Sequence, residues 1–373
     1  MIWRCALIFW ILCLGLLPNS GQAQTQIRIA TWNIETVGSA GTTEYEAALD
    51  VLGRIGADVV ALNEIASAAD TANLEQLASE AGYPYLTYSS GAPFGSDRNA
   101  VLSRHAFVGP AIEHTSSSLS GDSAANDITR LPLEVVIDVP GNALDLTLVT
   151  QHWKSGTGND DEFRRAIESI RIGQSIADLF SEVDAYVIMG DVNEEADSVP
   201  KTPNPVTSLP SGLPGSFSLG SDLALQLAGA GISNDPFQSL RLPTGVNATL
   251  VTALQLDGSD ATRPSSGRRL DYVLVSEALG SMGVSAEVYD SQDEGLAPGL
   301  TLIGSPLAAS ASTDASDHFP VLVDLVVPAR ATEVPVSGAA GIGLLILAAL
   351  GLGAAVAQRA TGRTARRARR GLQ

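Results

Sequence analysis

The chain has 373 residues, 45% hydrophobic and 17% charged, which excludes an intrinsically disordered protein and leaves ample length for a full core. It carries 22 Lys+Arg against 41 Asp+Glu, a formal net charge of −19, which argues against nonspecific binding of polyanions through a basic surface. That balance does not exclude an enzyme that offsets phosphate charge locally with a metal ion.

Residues 1–23 read as a secretory signal peptide. Arg4 precedes an apolar run, and Pro18 and a small-x-small stretch ending at Ala23 follow it. The alternative, an uncleaved anchor, asks for a longer run. Both cysteines, Cys5 and Cys13, fall in this segment, so the processed chain would hold no disulfide and no Cys-ligated zinc. The outward domain, 24–329, alternates strands and helices. The pattern predicts a strand over 27–35, then a helix over 42–56 with Thr42 or Thr43 as its cap and Gly56 near its end. A buried strand over 57–65 and a helix over 71–82 come next. Strands are predicted over 98–104, 131–140 and 143–153. The strongest helical pattern is 160–180, with Asp160, Asp161 and Glu162 at its positive end. Strands over 184–195, 269–276 and 318–327 complete the set. Residues 196–268 are rich in Pro, Ser and Gly at their start and read as loop. The fold class is α/β: a two-sheet sandwich flanked by outer helices.

After a linker (330–336), residues 337–358 are uncharged and long enough to cross a bilayer as a transmembrane helix, about 20 residues being needed. A tail of six arginines (359–373) follows and would lie in the cytoplasm, placing the domain outside. The same order resembles a bacterial sorting signal that is cut during surface attachment, so a retained anchor and a processed one both stay open. Without the signal segment and the residues after Arg330, the chain has 15 cations against 40 anions, a net charge of −25, which suits an exported protein and attracts divalent cations.

Polar residues gather where apolar strands stop: Asn33, Glu35, Glu64, His152, Asp191, Asn193, Asp271, Asp317 and His318. So many at one kind of position suggest a shared pocket rim. Asp191 and Asn193 lie two apart on an extended chain and would face one side. Glu35 and Asp58 read as structural, and His105 and His114 as loop residues.

The segments TWNIE, LNEI, RNAVLSR, TQHWKSG, IMGDVNEE, RLDYVLVS and SDHFPVLVDL, in this order over about 27–326, resemble the endonuclease/exonuclease/phosphatase superfamily. That superfamily includes pancreatic-type deoxyribonuclease, apurinic endonucleases, inositol-phosphate 5-phosphatases and bacterial sphingomyelinases. The resemblance implies a deoxyribonuclease-like four-layer sandwich and a metal-dependent phosphoesterase. It makes Glu64 a carboxylate ligand for Mg²⁺ or Mn²⁺, with Asn33 as a neutral oxygen ligand or a partner of the ligand, and Asp317 as a further metal-proximal carboxylate. His318 would be the general base and Asp271 its orienting partner. His152 would donate to a phosphoryl oxygen and Asn193 would hydrogen-bond the phosphate. Asp191 would either position the water or protonate the leaving group. Arg98, Asn99 and Lys154 are candidate phosphate contacts. Three departures stand out: Asn63 where a Gln often precedes the metal Glu, Val192 in place of Phe, and Trp153 after the His. The expected function is an exported nuclease acting on DNA or RNA. A phosphatase or sphingomyelinase-type phosphodiesterase and a non-catalytic surface binding protein are the alternatives. The partners implied are nucleic acid as substrate and a membrane through the C-terminal helix; no protein partner is implied.

Overall fold

A computed structural model describes residues 24–141, 143–177, 185–238 and 248–330. The expected signal peptide, the apolar span 337–358, the basic tail and all but the first residue of the linker lie outside the described residues. Among the described residues, no helix is long and apolar enough to cross a membrane.

Among the described residues twelve strands run in chain order: β1 (Thr25–Asn33), β2 (Val59–Ile65), β3 (Tyr85–Tyr88), β4 (Arg98–Ser103), β5 (Ile112–Glu113), β6 (Leu133–Ile137), β7 (Leu146–His152), β8 (Tyr186–Asp191), β9 (Ala248–Leu250), β10 (Asp271–Ser276), β11 (Val284–Val288) and β12 (Val321–Val327). They form two mixed six-stranded sheets, ordered β11-β12-β1-β2-β4-β3 and β5-β6-β7-β8-β10-β9. Each sheet has one parallel pair at its centre, β1 with β2 and β7 with β8, flanked by antiparallel neighbours. A parallel pair needs a crossover, and a helix supplies each one: α1 (Thr43–Ile55) joins β1 to β2, and a long helix at Asn159–Ser175 joins β7 to β8. Two other helices of eight or more residues are α2 (Ala68–Glu80) and one at Ser221–Gly229. In chain order the last two of these four are α3 (Asn159–Ser175) and α4 (Ser221–Gly229).

Strand alternation builds the layers. Ile27 and Ile29, Val59 and Ala61, Leu146 and Leu148, Val187 and Met189, and Val273 and Val275 share one buried cluster between the sheets. The alternate residues face outward. Ala30, Trp32, Val60 and Leu62 pack with Val51, Leu52 and Leu74 of α1 and α2. Val149, Ile188 and Leu274 pack with Ile172 of α3.

Local chemistry sets the helix ends. The Thr42 side chain accepts from the Tyr45 N–H, and α1 stops at Gly56, whose φ of 59° a side chain resists and whose missing Cβ would meet Ile303 at 2.2 Å. Helix α2 starts at Ala68, ahead of the expected 71, because the Ser67 hydroxyl caps the Asp70 N–H at 3.1 Å. Helix α3 begins at Asn159, where the Asp161 carboxylate accepts from the Gly158 N–H at 3.0 Å; its expected end at 180 is outside the described residues.

The reading of 196–268 as loop is corrected by α4 and β9. Helix α4 buries Leu223 and Leu227 against Phe163 and Ile167 of α3, a stripe too short to stand out beside the prolines. The edge strands β3, β5 and β11 also went unpredicted. They have two to five residues and are half-exposed, so alternation has little room to register.

Candidate active site

The inter-sheet layer turns polar at one end. Counting on by twos from its apolar residues reaches Asn33 on β1, Asn63 on β2, Asn99 on β4, His152 on β7, Asp191 on β8 and Asp271 on β10. Strand register aligns them. His152 is opposite Asp191, Asp191 is opposite Asp271, and Asn33 is opposite Asn63. The C-terminal ends of both parallel pairs therefore meet at one mouth.

Glu64 breaks this alternation. The β2–β4 register shifts between Leu62 and Ile65, and Glu64 has φ 68°. A bulge with a left-handed residue swings a side chain off its regular face, and a non-glycine residue held there costs about 1–3 kcal/mol. Here the turn delivers the carboxylate to the site. The Asn33 amide nitrogen donates to Glu64 Oε1 at 2.9 Å and to Asp191 Oδ2 at 3.0 Å. Its oxygen accepts from the Glu35 N–H at 3.0 Å. In this arrangement the Asn33 amide nitrogen is shared by the two carboxylates.

His318 precedes β12 and is almost wholly buried. Its Nδ1 lies 2.7 Å from Asp271 Oδ2. Its backbone is tied in as well: its carbonyl accepts from Trp32 Nε1 at 2.9 Å, and the Ser316 hydroxyl beside it donates to the Asn33 carbonyl at 2.7 Å. Burial works against the imidazolium, but the charges of Asp271, Asp191 and Asp317 and the hydrogen bond to Asp271 outweigh it, raising the pKa to about 9. Burial, followed by the positive charges of Arg130, His318 and Lys154, holds His152 far below its ordinary value, so this imidazole is neutral. Its Nε2 stands 3.5 Å from Glu64 Oε1 and 3.6 Å from Asp191 Oδ2.

The other expected residues are placed less directly. The chain leaves the strand at Asp191. Asn193 has φ 52°, so it does not share an extended face with Asp191 as the spacing suggested. It still lies at the site, its N–H donating to Asp191 Oδ1 at 2.8 Å and its amide to the Trp153 carbonyl at 3.0 Å. Asp317 accepts from Arg263 Nη2 at 2.8 Å and is 3.8 Å from His318 Nε2; it joins neither group of convergent ligand atoms. Of the expected phosphate contacts, Asn99 is fully buried with both ends of its amide engaged, on Asn63 and on the Leu131 carbonyl, so a phosphate cannot reach it. Arg98 turns to the Ser90 carbonyl at 3.3 Å. Lys154 is held by Asp161 at 3.0 Å and by the Ser155 carbonyl.

Two arginines that the motifs did not single out stand in their place. Arg130 is fixed by Asp97 at 2.7 Å and by the Trp153 carbonyl at 2.9 Å, and its charge acts on both Glu64 and His152. Arg263, held by Asp317, feels the charges of Asp191 and Glu64. The only signal for either was an arginine flanked by loop residues.

The donor set suits a hard divalent cation. Glu64, His152 and Asp191 converge within 4.8 Å, as do Asp191, Asp271 and His318. Asp271 Oδ1 and both His152 nitrogens are buried without a hydrogen-bond partner. Burial and then the charge of Asp271 push Asp191 up to about 7, against the charge of His318. Burial raises Glu64 too, against the hydrogen bond from Asn33. Crowded, buried carboxylates of this kind fit a hard divalent cation.

The model of the endonuclease/exonuclease/phosphatase family matches residues 30–318, and the chain belongs to that family. No curated protein matches it. An endonuclease/exonuclease/phosphatase from Beutenbergia cavernae DSM 12333 superposes with a TM-score of 0.53 at 21% identity, covering 81% of this chain and 72% of that one. The catalytic domain of human Nocturnin with bound sulfate gives 0.48 at 16%, covering 82% and 95%. Truncated TDP2 of Caenorhabditis elegans gives 0.44 at 15%, covering 81% and 98%. The first of these shares the two-sheet fold. The family is one of phosphoesterases, and the two sheets with flanking helices are its sandwich.

Proposed function

We propose that the protein is an exported, metal-dependent phosphodiester hydrolase that cleaves nucleic acid by water attack on phosphate. The observation that carries this reading is the His318–Asp271 pair, 2.7 Å apart and facing Glu64, His152 and Asp191 across the mouth between the sheets. Asp271 accepts a hydrogen bond from the Nδ1–H of His318, and with a cation offsetting the carboxylate charges that hold the imidazole protonated, Nε2 would be free to accept a proton from water. Glu64, with Asp191, would hold Mg²⁺ or Mn²⁺, and the ion supplies positive charge for the phosphoryl oxygens. The neutral His152 donates a hydrogen bond to a phosphoryl oxygen. Asn193 binds the same group, and Arg130 adds a fixed positive charge. Asp191 would position the attacking water; as a holder of the ion it is ionised and has no proton for the leaving oxygen.

Nucleic acid is favoured over other phosphodiesters by the two guanidiniums, Arg130 and Arg263, at a mouth in an otherwise acidic chain, and by the signal peptide read from residues 1–23. The test is hydrolysis of plasmid DNA, RNA, sphingomyelin and an inositol phosphate by the purified protein, each with Mg²⁺ and with EDTA. Metal-dependent nicking of plasmid or breakdown of RNA supports the proposal. Activity confined to the lipid or the inositol phosphate replaces its substrate class. Inactivity on all four leaves a binding protein as the better account.

A further inference from the structure

Asn63 lies beneath the carboxylates, is fully buried, and takes no part in the chemistry above. It belongs to one sheet, yet its carboxamide reaches the other. Nδ2 donates to the Gln151 carbonyl on β7 at 3.0 Å and to Asn99 Oδ1 on β4 at 2.7 Å. Oδ1 accepts from the Asp191 N–H on β8 at 3.0 Å. One amide thus serves a backbone acceptor and a backbone donor on two adjacent strands of the opposite sheet, as a peptide group would.

We propose that Asn63 is the positioning residue that sets the spacing between Glu64 and Asp191, and so tunes the site for its divalent cation. The inference rests on the metal-dependent reading given above. Glu64 directly follows Asn63 and leaves the strand through the bulge. Asp191 hangs from Asn63 by its own N–H. The two carboxylates share the Asn33 amide nitrogen at 2.9 and 3.0 Å, and that arrangement holds only while both backbones stay at this separation. An aspartate at 63 could accept but not donate, and a leucine could do neither, so only an amide of this length satisfies both strands. Residues that orient metal-holding groups without touching the ion change metal affinity by about 10–100-fold when removed.

The test compares Asn63→Leu with Asn99→Leu. Both delete the Asn63–Asn99 hydrogen bond, and both should lower Tm. Only Asn63→Leu releases Asp191. Calorimetric titration with Mn²⁺ should therefore give a Kd raised by about tenfold or more for Asn63→Leu, and by less than about threefold for Asn99→Leu. Equal rises in the two variants, or a Kd in Asn63→Leu within about threefold of the parent, overturn the proposal while leaving the phosphoesterase reading intact. If Asn63→Leu does not fold, Asn63→Ala gives the same comparison with less overpacking. A parent protein that takes up no Mn²⁺ overturns the metal reading and this inference together.

Discussion

His318 Nδ1 sits 2.7 Å from Asp271 Oδ2, and the second oxygen of that carboxylate is buried without a partner. The two residues come from strands of different sheets, β10 and the lead-in to β12. Thr262 ties them together. Its hydroxyl accepts from the Leu270 and Asp271 N–H groups at 2.9 and 3.1 Å, and its carbonyl accepts from the Phe319 N–H at 2.7 Å. Such a pair orients an imidazole and selects its tautomer, which is what a general base requires.

Replacing either member should therefore cost turnover. His318→Ala should lower kcat by a factor of about 10²–10⁴ or more, and metal-free it should also lower Tm, because the buried Asp271 carboxylate loses its partner. Asp271→Asn should lower kcat too, since the amide no longer selects the productive tautomer. Near-parental rates on plasmid DNA in His318→Ala would remove His318 from the mechanism.

Without metal, the same pair makes stability depend on pH. The pKa of His318 is raised to about 9 from an ordinary 6.5, and that of Asp191 to about 7 from 3.8. The folded state thus binds more protons than the unfolded one. The stabilisation from His318 is fully present below about pH 6.5 and is lost as pH rises through about 9. Asp191 acts in the same direction at lower pH, its contribution fading between about 4 and 7. In EDTA, Tm should fall from pH 6.5 to 9. With Mg²⁺ the fall should be much smaller, because the ion binds the deprotonated carboxylates. A Tm in EDTA that rises over this window would contradict the assignment of positive charge to His318.

Arg130 offers a separate test. It is fixed by Asp97 and the Trp153 carbonyl and lies by Glu64 and His152 without joining the groups of convergent ligand atoms. Arg130→Gln should reduce kcat/KM on DNA by about tenfold or more and leave Mn²⁺ affinity near the parental value. An unchanged kcat/KM would remove Arg130 from phosphate binding.

A fourth prediction concerns stability alone. Arg171 of α3 and Asp127 are fully buried and joined by two hydrogen bonds, Nε to Oδ1 at 3.0 Å and Nη2 to Oδ2 at 2.5 Å. Deleting one partner strands a buried charge, so Asp127→Ala should cost about 3 kcal/mol, read as a lower midpoint in urea. Asp222, which also bonds Arg171, limits the loss. A midpoint within error of the parent would show that this pair contributes little.

Much of this was legible in the residues. Strand alternation and the caps of α1 came from local chemistry, as did the placing of Asn33, Glu64, His152, Asp191, Asp271 and His318 at strand ends. These depend on neighbours a few positions away, which the sequence states directly. The sequence alone determined that the chain has a large apolar core, a strongly acidic composition and a recurring set of acids and imidazoles where strands stop. Only the tertiary structure decided which of them meet. Register placed His152, Asp191 and Asp271 in one row, and the bulge at Glu64 turned a side chain that alternation would have sent to the other face. Asn99 was drawn inward as the partner of Asn63, and Arg130 arrived from a loop that matched no motif. Hydrogen bonds across the gap between two sheets join residues far apart in the chain, 158 positions for Asn33 with Asp191 and 128 for Asn63 with Asp191, and no local pattern encodes that distance.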